Sequence, residues 1–356
     1  MYNKGLNEQI KIAVSPIYIS KSLIYSKFWK NPFYTITTIM QQQIINCHQQ
    51  ISPHIHTTPV LTSRLINQLA RASLFFKCEN FQRTGSFKMR GATHAILQLS
   101  ASQRAKGVVT HSSGNFAQAV ALAAQSLGVK AYIVMPSNAP AVKKRAVQSY
   151  GGHIIECEPT IEARAAHAQK IVDEKGASFL HPSNDWPVII GQATAAYELL
   201  QEQPDLHTLI APVGGGGLLA GTALAGHYFG KNCQVIAGEP LATDDAYRSL
   251  LSGQIETNSS TDTIADGLRT HLGDQNFRVI QQYVQQIIRV TEAEIITALG
   301  LLWERLKIIC EPSSAVVLAA ILKQKEAFEG QQIGLIISGG NVDIPKIGAL
   351  LAQTTT

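Results

Sequence analysis

The sequence predicts an α/β protein of open, twisted, mostly parallel sheets flanked by helices. From about Thr58 onward, short runs rich in β-branched residues alternate with amphipathic stretches, the pattern of parallel strands joined by helical crossovers. Apolar residues make up 45% of the chain and charged residues 15%, a balance that builds a large core rather than a disordered chain. At 356 residues there is room for two domains of ordinary size.

Residues 1–45 stand apart as a non-core extension. Lysines mix there with Tyr18, Tyr25, Phe28, Trp29, Phe33 and Tyr34 without a helix or strand period. Neither a secretory signal nor an arginine-rich transit peptide fits this composition, and Met40 could itself begin the domain. Of the formal charge of +5, residues 1–39 supply +4 through Lys4, Lys11, Lys21, Lys27 and Lys30 against Glu8. The remainder is close to neutral, so no basic face for nucleic acid is indicated. Cys47, Cys78, Cys157, Cys233 and Cys310 are scattered and odd in number, which points to reduced thiols in a cytoplasmic protein. No apolar run reaches the ~18 residues of a spanning helix.

The first buried strand is read at 74–77, and Thr84-Gly85-Ser86-Phe87-Lys88-Met89-Arg90-Gly91-Ala92 follows it. This segment sets one lysine among small and apolar neighbours at the start of a helix. The positive end of the helix dipole disfavours charge on Lys88, and desolvation pushes the same way. A neutral amine is what an aldehyde cofactor needs to form a Schiff base. A surface lysine after a loop would look the same locally. Strand 107–111 then runs into Ser112-Ser113-Gly114-Asn115 and the amphipathic stretch 115–127. Strands at 131–135, 153–157 and 178–180 follow, with helices at 139–150 and 160–175.

Strand 208–212 leads into Val213-Gly214-Gly215-Gly216-Gly217-Leu218 and another helical stretch. Successive glycines let backbone N–H groups converge, and the helix adds its positive N-terminus, so the run reads as a phosphate cradle. Gly215-x-Gly217-x-x-Ala220 with Glu239 also matches a dinucleotide fingerprint, which keeps a nicotinamide-dependent oxidoreductase as the rival. That rival leaves the lysine segment unexplained and places the loop deep in the chain. Strands at 234–237, 287–290 and 333–337 and a helix at 292–309 complete the pattern, and the last strand ends at Ser338. Each motif falls at the carboxyl end of a strand, where open α/β sheets gather functional groups.

Taken in order, Ser86-Phe87-Lys88-x-Arg90-Gly91-Ala92, Ser112-Ser113-Gly114-Asn115, Gly214–Gly217 and Ser338-Gly339-Gly340-Asn341 resemble the pyridoxal-phosphate enzymes of the tryptophan synthase β-like fold, fold type II. Within them the chain looks most like serine racemases and catabolic serine/threonine dehydratases. The similarity spans roughly residues 50–345. It includes Phe76-Lys77-Cys78-Glu79-Asn80-Phe81-Gln82, Thr263-Ile264-Ala265-Asp266-Gly267 and Glu311-Pro312-Ser313-Ser314-Ala315. The resemblance implies a large cofactor-binding domain from 46–106 plus 185–350 and a small domain from 107–184.

By that resemblance Lys88 is the covalent partner of pyridoxal 5'-phosphate, Phe87 packs on one face of its ring, and Gly267 lies where no side chain fits. Gly214, Gly215, Gly216, Gly217 and Leu218 hold the phosphate, Asn115 contacts the ring hydroxyl, and Ser338 faces the pyridine nitrogen. Ser112, Ser113, Asn115 and Arg164 become the substrate side, with Ser113 the second acid that racemisation requires. The implied reaction is β-elimination from L-serine or L-threonine to a 2-oxo acid and ammonia, with racemase activity open and 3-hydroxyaspartate as the alternative substrate. Glu239, the Thr243 carbonyl and Asp245 resemble the racemases' cation site, an oxygen donor set suited to Mg²⁺ or Ca²⁺; a solvated acidic turn is the plain alternative. A homodimer without nucleic-acid or membrane partners is implied as well. With 18 residues after Ser338, an appended regulatory domain is not expected. Two departures stand out: Phe116 replaces the family's usual histidine, and Ser183 precedes Asn184 where racemases carry asparagine directly after His-Pro.

Overall fold

The computed structural model describes residues 32–139 and 141–352. Two compact units divide the chain, Met1–Met40 and Gln41–Thr356. Of the first, the described part is the opening of the helix Pro32–Ile51; residues 1–31 of the expected extension lie outside the described residues.

The second unit begins five residues before the expected boundary at 46. Ile44, Cys47 and Ile51 are buried, three and four positions apart, as one face of a helix requires. Gln41 Nε2 donates to the Tyr228 carbonyl at 2.6 Å. Residues 41–45 are therefore part of the core unit and not of an extension.

Among the described residues ten strands form two sheets: β1 (Val60–Leu61), β2 (Ser73–Cys78), β3 (Val108–His111), β4 (Ala131–Pro136), β5 (His153–Cys157), β6 (Ser178–Phe179), β7 (Thr208–Pro212), β8 (Gln234–Pro240), β9 (Gln286–Val290) and β10 (Gln332–Ile337). The larger sheet runs β1-β2-β10-β7-β8-β9 and the smaller β5-β4-β3-β6. All pairings are parallel except β1 with β2, where Val60 faces Lys77. In register, Ile337 of β10 faces Cys78 of β2, and Leu335 faces Ile210 of β7. The carboxyl ends of β2, β10 and β7 thus lie side by side, and they feed the lysine segment, Ser338 and the glycine run.

Parallel strands buried on both faces read as continuous apolar runs, and every residue of β7 is buried. The helix Ile161–Lys175 starts where Thr160 Oγ1 accepts from Ala163 N at 3.1 Å and stops at Gly176 in the left-handed region. The expected helix at 292–309 is shorter. It spans Glu292–Leu301, widens into a π turn over Leu302–Leu306 and ends at Lys307 with φ +61. Among the described residues no helix is long and apolar enough to cross a membrane.

Three helices stack behind the site: Lys88–Leu97, Trp186–Glu202 and Gly217–Phe229. Glycine sets their spacing. A Cβ at Gly191 would stand 2.5 Å from Gly91 Cα, and one at Gly221 would stand 2.6 Å from Ala193 N. Both are contacts with backbone, which cannot swing aside. Gly191→Ala is therefore expected to destabilise the protein by about 1–3 kcal/mol through overpacking, read as a lower urea midpoint at unchanged slope.

Candidate active site

Two short 3-10 turns, Glu79–Phe81 and Arg83–Gly85, carry the chain from β2 to the lysine. Thr84 and Gly85 are both left-handed, at φ +63 and +71, and this reverses the chain sharply. The strand end of β10 receives it: Ser86 bridges Gly339 and Phe87 N donates to the Ser338 carbonyl at 3.0 Å. Lys88 then opens its helix, and its Nζ donates to the Pro182 carbonyl at 2.9 Å. The rings of Phe87 and Phe116 flank the amine at 4.9 and 5.7 Å. Burial pushes the Lys88 amine down to about 8, and the Glu311 carboxylate opposes that shift.

The segment from His181 to Asn184 links the amine to the glycine run. His181 Nδ1 accepts from the N–H groups of Ser183 and Asn184 at 3.2 and 2.9 Å, and burial holds this ring neutral, down to about 4. Ser183 presses on the glycines: a Cβ at Gly215 would meet Ser183 Oγ at 2.7 Å, and one at Gly217 would meet the Ser183 carbonyl at 2.7 Å. Asn276 Nδ2 ties the two together, donating to the Gly215 and Ser183 carbonyls at 2.8 and 3.0 Å. Gly216 at φ +79 turns the chain into the helix Gly217–Phe229, whose first-turn N–H groups have no intrahelical acceptor. Leu218 lies in that first turn. Ser183, not Asn184, stands at the cradle. Asn184 caps the helix Asp274–Tyr283, accepting from Gln275 N at 2.9 Å.

On the small-sheet side, Asn115 begins the helix Asn115–Ser126. Its Nδ2 donates to both Glu311 carboxyl oxygens at 3.2 and 3.0 Å, and its Oδ1 accepts from Asn341 Nδ2 at 3.0 Å. Gly267 N donates to Ser313 Oγ at 3.0 Å. Ser338 is buried, 3.0 Å from Ser314 Oγ. Ser112 and Ser113 are half-buried at the end of β3, and Ser112 Oγ accepts from Gly114 N at 3.4 Å. Phe116 does not face solvent; it is buried in the small-sheet core with Met89, Ala92 and Val120. Arg164 Nε bonds back to the Thr160 carbonyl of its own helix at 3.2 Å. Burial holds the His111 ring, at the end of β3, below its ordinary pKa, and the Arg164 charge adds to that shift.

The acidic residues after β8 divide. Asp244 turns outward to Arg248 and Arg289, each at 2.8 Å. Glu239 and Asp245 are buried. The Glu239 carboxylate accepts from the N–H groups of Ala246 and Tyr247 at 2.9 and 2.8 Å, yet burial still pushes it up to about 9. Asp245 Oδ1 accepts from Asn258 Nδ2, while its buried Oδ2 and the Thr243 hydroxyl have no hydrogen-bond partner among the described residues. No group of three or more His, Cys, Asp or Glu side chains gathers among the described residues. Two buried carboxylates with an orphaned oxygen nevertheless form a donor set that a hard cation would satisfy.

A family model described as pyridoxal-phosphate dependent enzyme matches residues 51–339. The chain belongs to that family. It is 47% identical over 320 residues to a serine racemase of Dictyostelium discoideum, covering 89% of this chain and 99% of that one. It is 46% identical over 306 residues to a β-hydroxyaspartate dehydratase of Paracoccus denitrificans, covering 86% and 97%. The crystal structure of the Dictyostelium racemase superposes with a TM-score of 0.82 at 48% identity, over 85% of this chain and 98% of that one. The fold is accordingly fold type II, and the cofactor is pyridoxal 5'-phosphate. The dinucleotide pattern at Gly215 is coincidental, and the oxidoreductase reading falls with it. Glu239, its proposed ribose acid, instead caps the helix Asp245–Ser252.

The residues fit this cofactor: an amine depressed to about 8, a helix N-terminus opened by glycines, and a buried hydroxyl at a strand end. Sequence reasoning missed Glu311, His181 and Asn276, and met Ser183 only as a departure after His-Pro. Glu311 carried a local signal, an acid directly before Pro312 at a helix start. His181 and Asn276 carried none, because only the packing of distant segments brings them to the glycine run.

Proposed function

We propose that this enzyme dehydrates and deaminates a small β-hydroxy amino acid, L-serine or L-threonine, to a 2-oxo acid and ammonia, with serine racemisation at the same site. One observation carries the reading: Lys88 Nζ lies on the Pro182 carbonyl while the next residue, Ser183, packs against Gly215 and Gly217. Amine and phosphate cradle are thereby held on one short segment. When bound, pyridoxal phosphate supplies an aldehyde that captures the amino acid and a ring that withdraws electrons from its α-carbon.

The chain's own residues supply the rest. Backbone N–H groups of Gly214, Gly215, Gly216, Gly217 and Leu218 hold the phosphate. Phe87 and Gly267 bound the ring, and Asn115 gives an N–H to its oxygen. Ser338 offers a neutral hydroxyl to the ring nitrogen. A neutral partner makes a weaker electron sink than a carboxylate, which favours prompt loss of a β-substituent. The substrate carboxylate is received by Ser112, Ser113 and Asn115 at a helix N-terminus. Lys88, a free base in a large fraction near pH 8, takes the α-proton on Nζ. Ser113 provides the opposite-face proton for racemisation, and Arg164 lends positive charge at the cleft edge. Glu239, Asp245 and the Thr243 carbonyl would hold Mg²⁺ or Ca²⁺.

A homodimer in the cytoplasm completes the reading, with residues 107–184 as the small domain. All five cysteines are free thiols, in keeping with a reducing compartment. Dehydration of 3-hydroxyaspartate is the second reading, favoured by a dehydratase relative as similar as the racemase.

Incubation with L-serine, D-serine, L-threonine and 3-hydroxyaspartate, followed by assay of 2-oxo acid and enantiomer, tests the proposal; no 2-oxo acid from any of the four would end it. Ser113→Ala should abolish racemisation and spare dehydration of the L-isomer, whereas equal loss of both contradicts the two-base assignment. Chelator should remove activity and Mg²⁺ restore it; indifference to chelator would dismiss the cation.

A further inference from the structure

Glu311 has no part in the chemistry above, yet it is the buried acid closest in role to the cofactor site. It stands at the N-terminus of the helix Pro312–Lys323, and its own N–H donates to the Gly339 carbonyl at 3.0 Å. This fixes it beside the end of β10. Glu311 is 4% exposed, and its carboxyl group lies against Gly339, where a Cβ would meet Oε1 at 3.0 Å, and near Gly267, where it would meet it at 3.7 Å. Glycine at 339 makes room for this carboxylate; at 267 the contact is ordinary van der Waals distance.

Its hydrogen-bond partner decides what it does. Both carboxyl oxygens accept from Asn115 Nδ2. Asn115 Oδ1 is taken by Asn341 Nδ2, which also donates to the Thr84 carbonyl at 2.7 Å. Of the four hydrogen-bonding positions of an amide, two on opposite ends are committed. The Asn115 amide is thereby locked in one orientation, with a single N–H left to give. A carboxylate can only accept, so it enforces this orientation; a protonated or amide side chain, which can also donate, does not.

We infer that Glu311 is a positioning residue that acts through Asn115, so that its negative charge orients the Asn115 amide and strengthens the hold on the cofactor. The inference rests on the functional reading above. The charged groups around Glu311 are Asp266, Lys143 paired to Asp266 at 3.1 Å, and Lys88; the Cys310 thiol beside it is pushed up by burial and stays neutral. Burial raises Glu311 to about 7, the Asn115 bonds opposing it and Asp266 adding to it. The carboxylate form, and with it the orientation, is present above that value and lost below it.

The test is cofactor binding to the apoenzyme, measured as the dissociation constant of pyridoxal phosphate for wild type, Glu311→Gln, Asn115→Ala and the double variant. The ratio of Glu311→Gln to wild type should be near one at about pH 6 and reach roughly tenfold or more at about pH 8, the worth of a charge-assisted hydrogen bond. Comparison as a ratio removes the ionisation of the phosphate, which both proteins share. The Glu311 charge also bears on Lys88, so the Asn115→Ala background isolates that part, and there Glu311→Gln should change binding much less than in wild type. A flat ratio, or an undiminished effect without Asn115, overturns the inference. If Glu311→Gln loses its circular-dichroism spectrum, Asn115→Ala carries the test alone: its ratio to wild type must grow over the same pH range, and a flat one is fatal. No cofactor uptake by wild type would overturn both this and the functional reading; normal uptake with a flat ratio overturns this one only.

Discussion

Lys88→Ala will lose turnover by about four orders of magnitude or more, since one side chain serves as both covalent anchor and base. Borohydride reduction of wild-type holoenzyme should fix the cofactor on the peptide that contains residue 88, and the variant should yield none by mass spectrometry. The pH dependence carries a sign. An ordinary lysine amine at 10.5 would be almost wholly protonated near neutrality, whereas Lys88 is pushed down to about 8 by burial. The free base accumulates as pH rises through that value, so kcat, which reports the substrate-bound enzyme in which the amine has been released, should climb with pH to about 8 and then level. A climb that continues toward 10 would mean the amine is not desolvated in solution.

Arg90→Leu will cost about 3–5 kcal/mol of stability, because it strands buried acids without their partner. The Arg90 guanidinium reaches Glu79 at 2.7 and 2.8 Å and Glu198 at 2.7 and 2.8 Å, and Thr194 Oγ1 at 3.2 Å. Lys77 joins at Glu198 Oε2, 2.7 Å, and at the Thr58 carbonyl, 2.7 Å. Removal of Arg90 leaves Glu198 with Lys77 and the His48 ring at 2.7 and 3.0 Å, and Glu79 with only the Thr58 hydroxyl at 2.6 Å among the described side chains. Arg90→Lys, which keeps the charge but loses the planar fork, should lose less than Arg90→Leu. The urea midpoint reports both; equal midpoints for wild type and Arg90→Leu would show that the network contributes nothing.

What could be read in the chain was whatever is local. Lys88 between Phe87 and Met89, four glycines after an apolar strand, and Ser338 after 333–337 each combine a chemical group with the strand end that presents it. Parallel pairing then brings those ends together, as the α/β pattern requires. What could not be read depends on contacts between distant segments. Asn115 and Glu311 are 196 positions apart, and nothing near either one announces the other. Ser183 reaches the glycines only because Asn276, 93 positions later, binds both. The misplaced boundary at 46 has a similar origin, since residues 40–51 show their apolar face only once helical phase is assumed. The helix read at 292–309 overran because the π turn and left-handed Lys307 have no composition of their own.

The insertion of β10 between β2 and β7 has a consequence for how the protein is made. During synthesis the ribosome delivers β2 and β7 long before the strand that must join them, and pairings this far apart in sequence are slow to close. Until residues 332–337 emerge, the nascent chain carries two unzipped strand edges, which are sites for misassociation. Cofactor loading is then expected to follow synthesis, since the ends of β2 and β7 are not set side by side until that last strand lies between them.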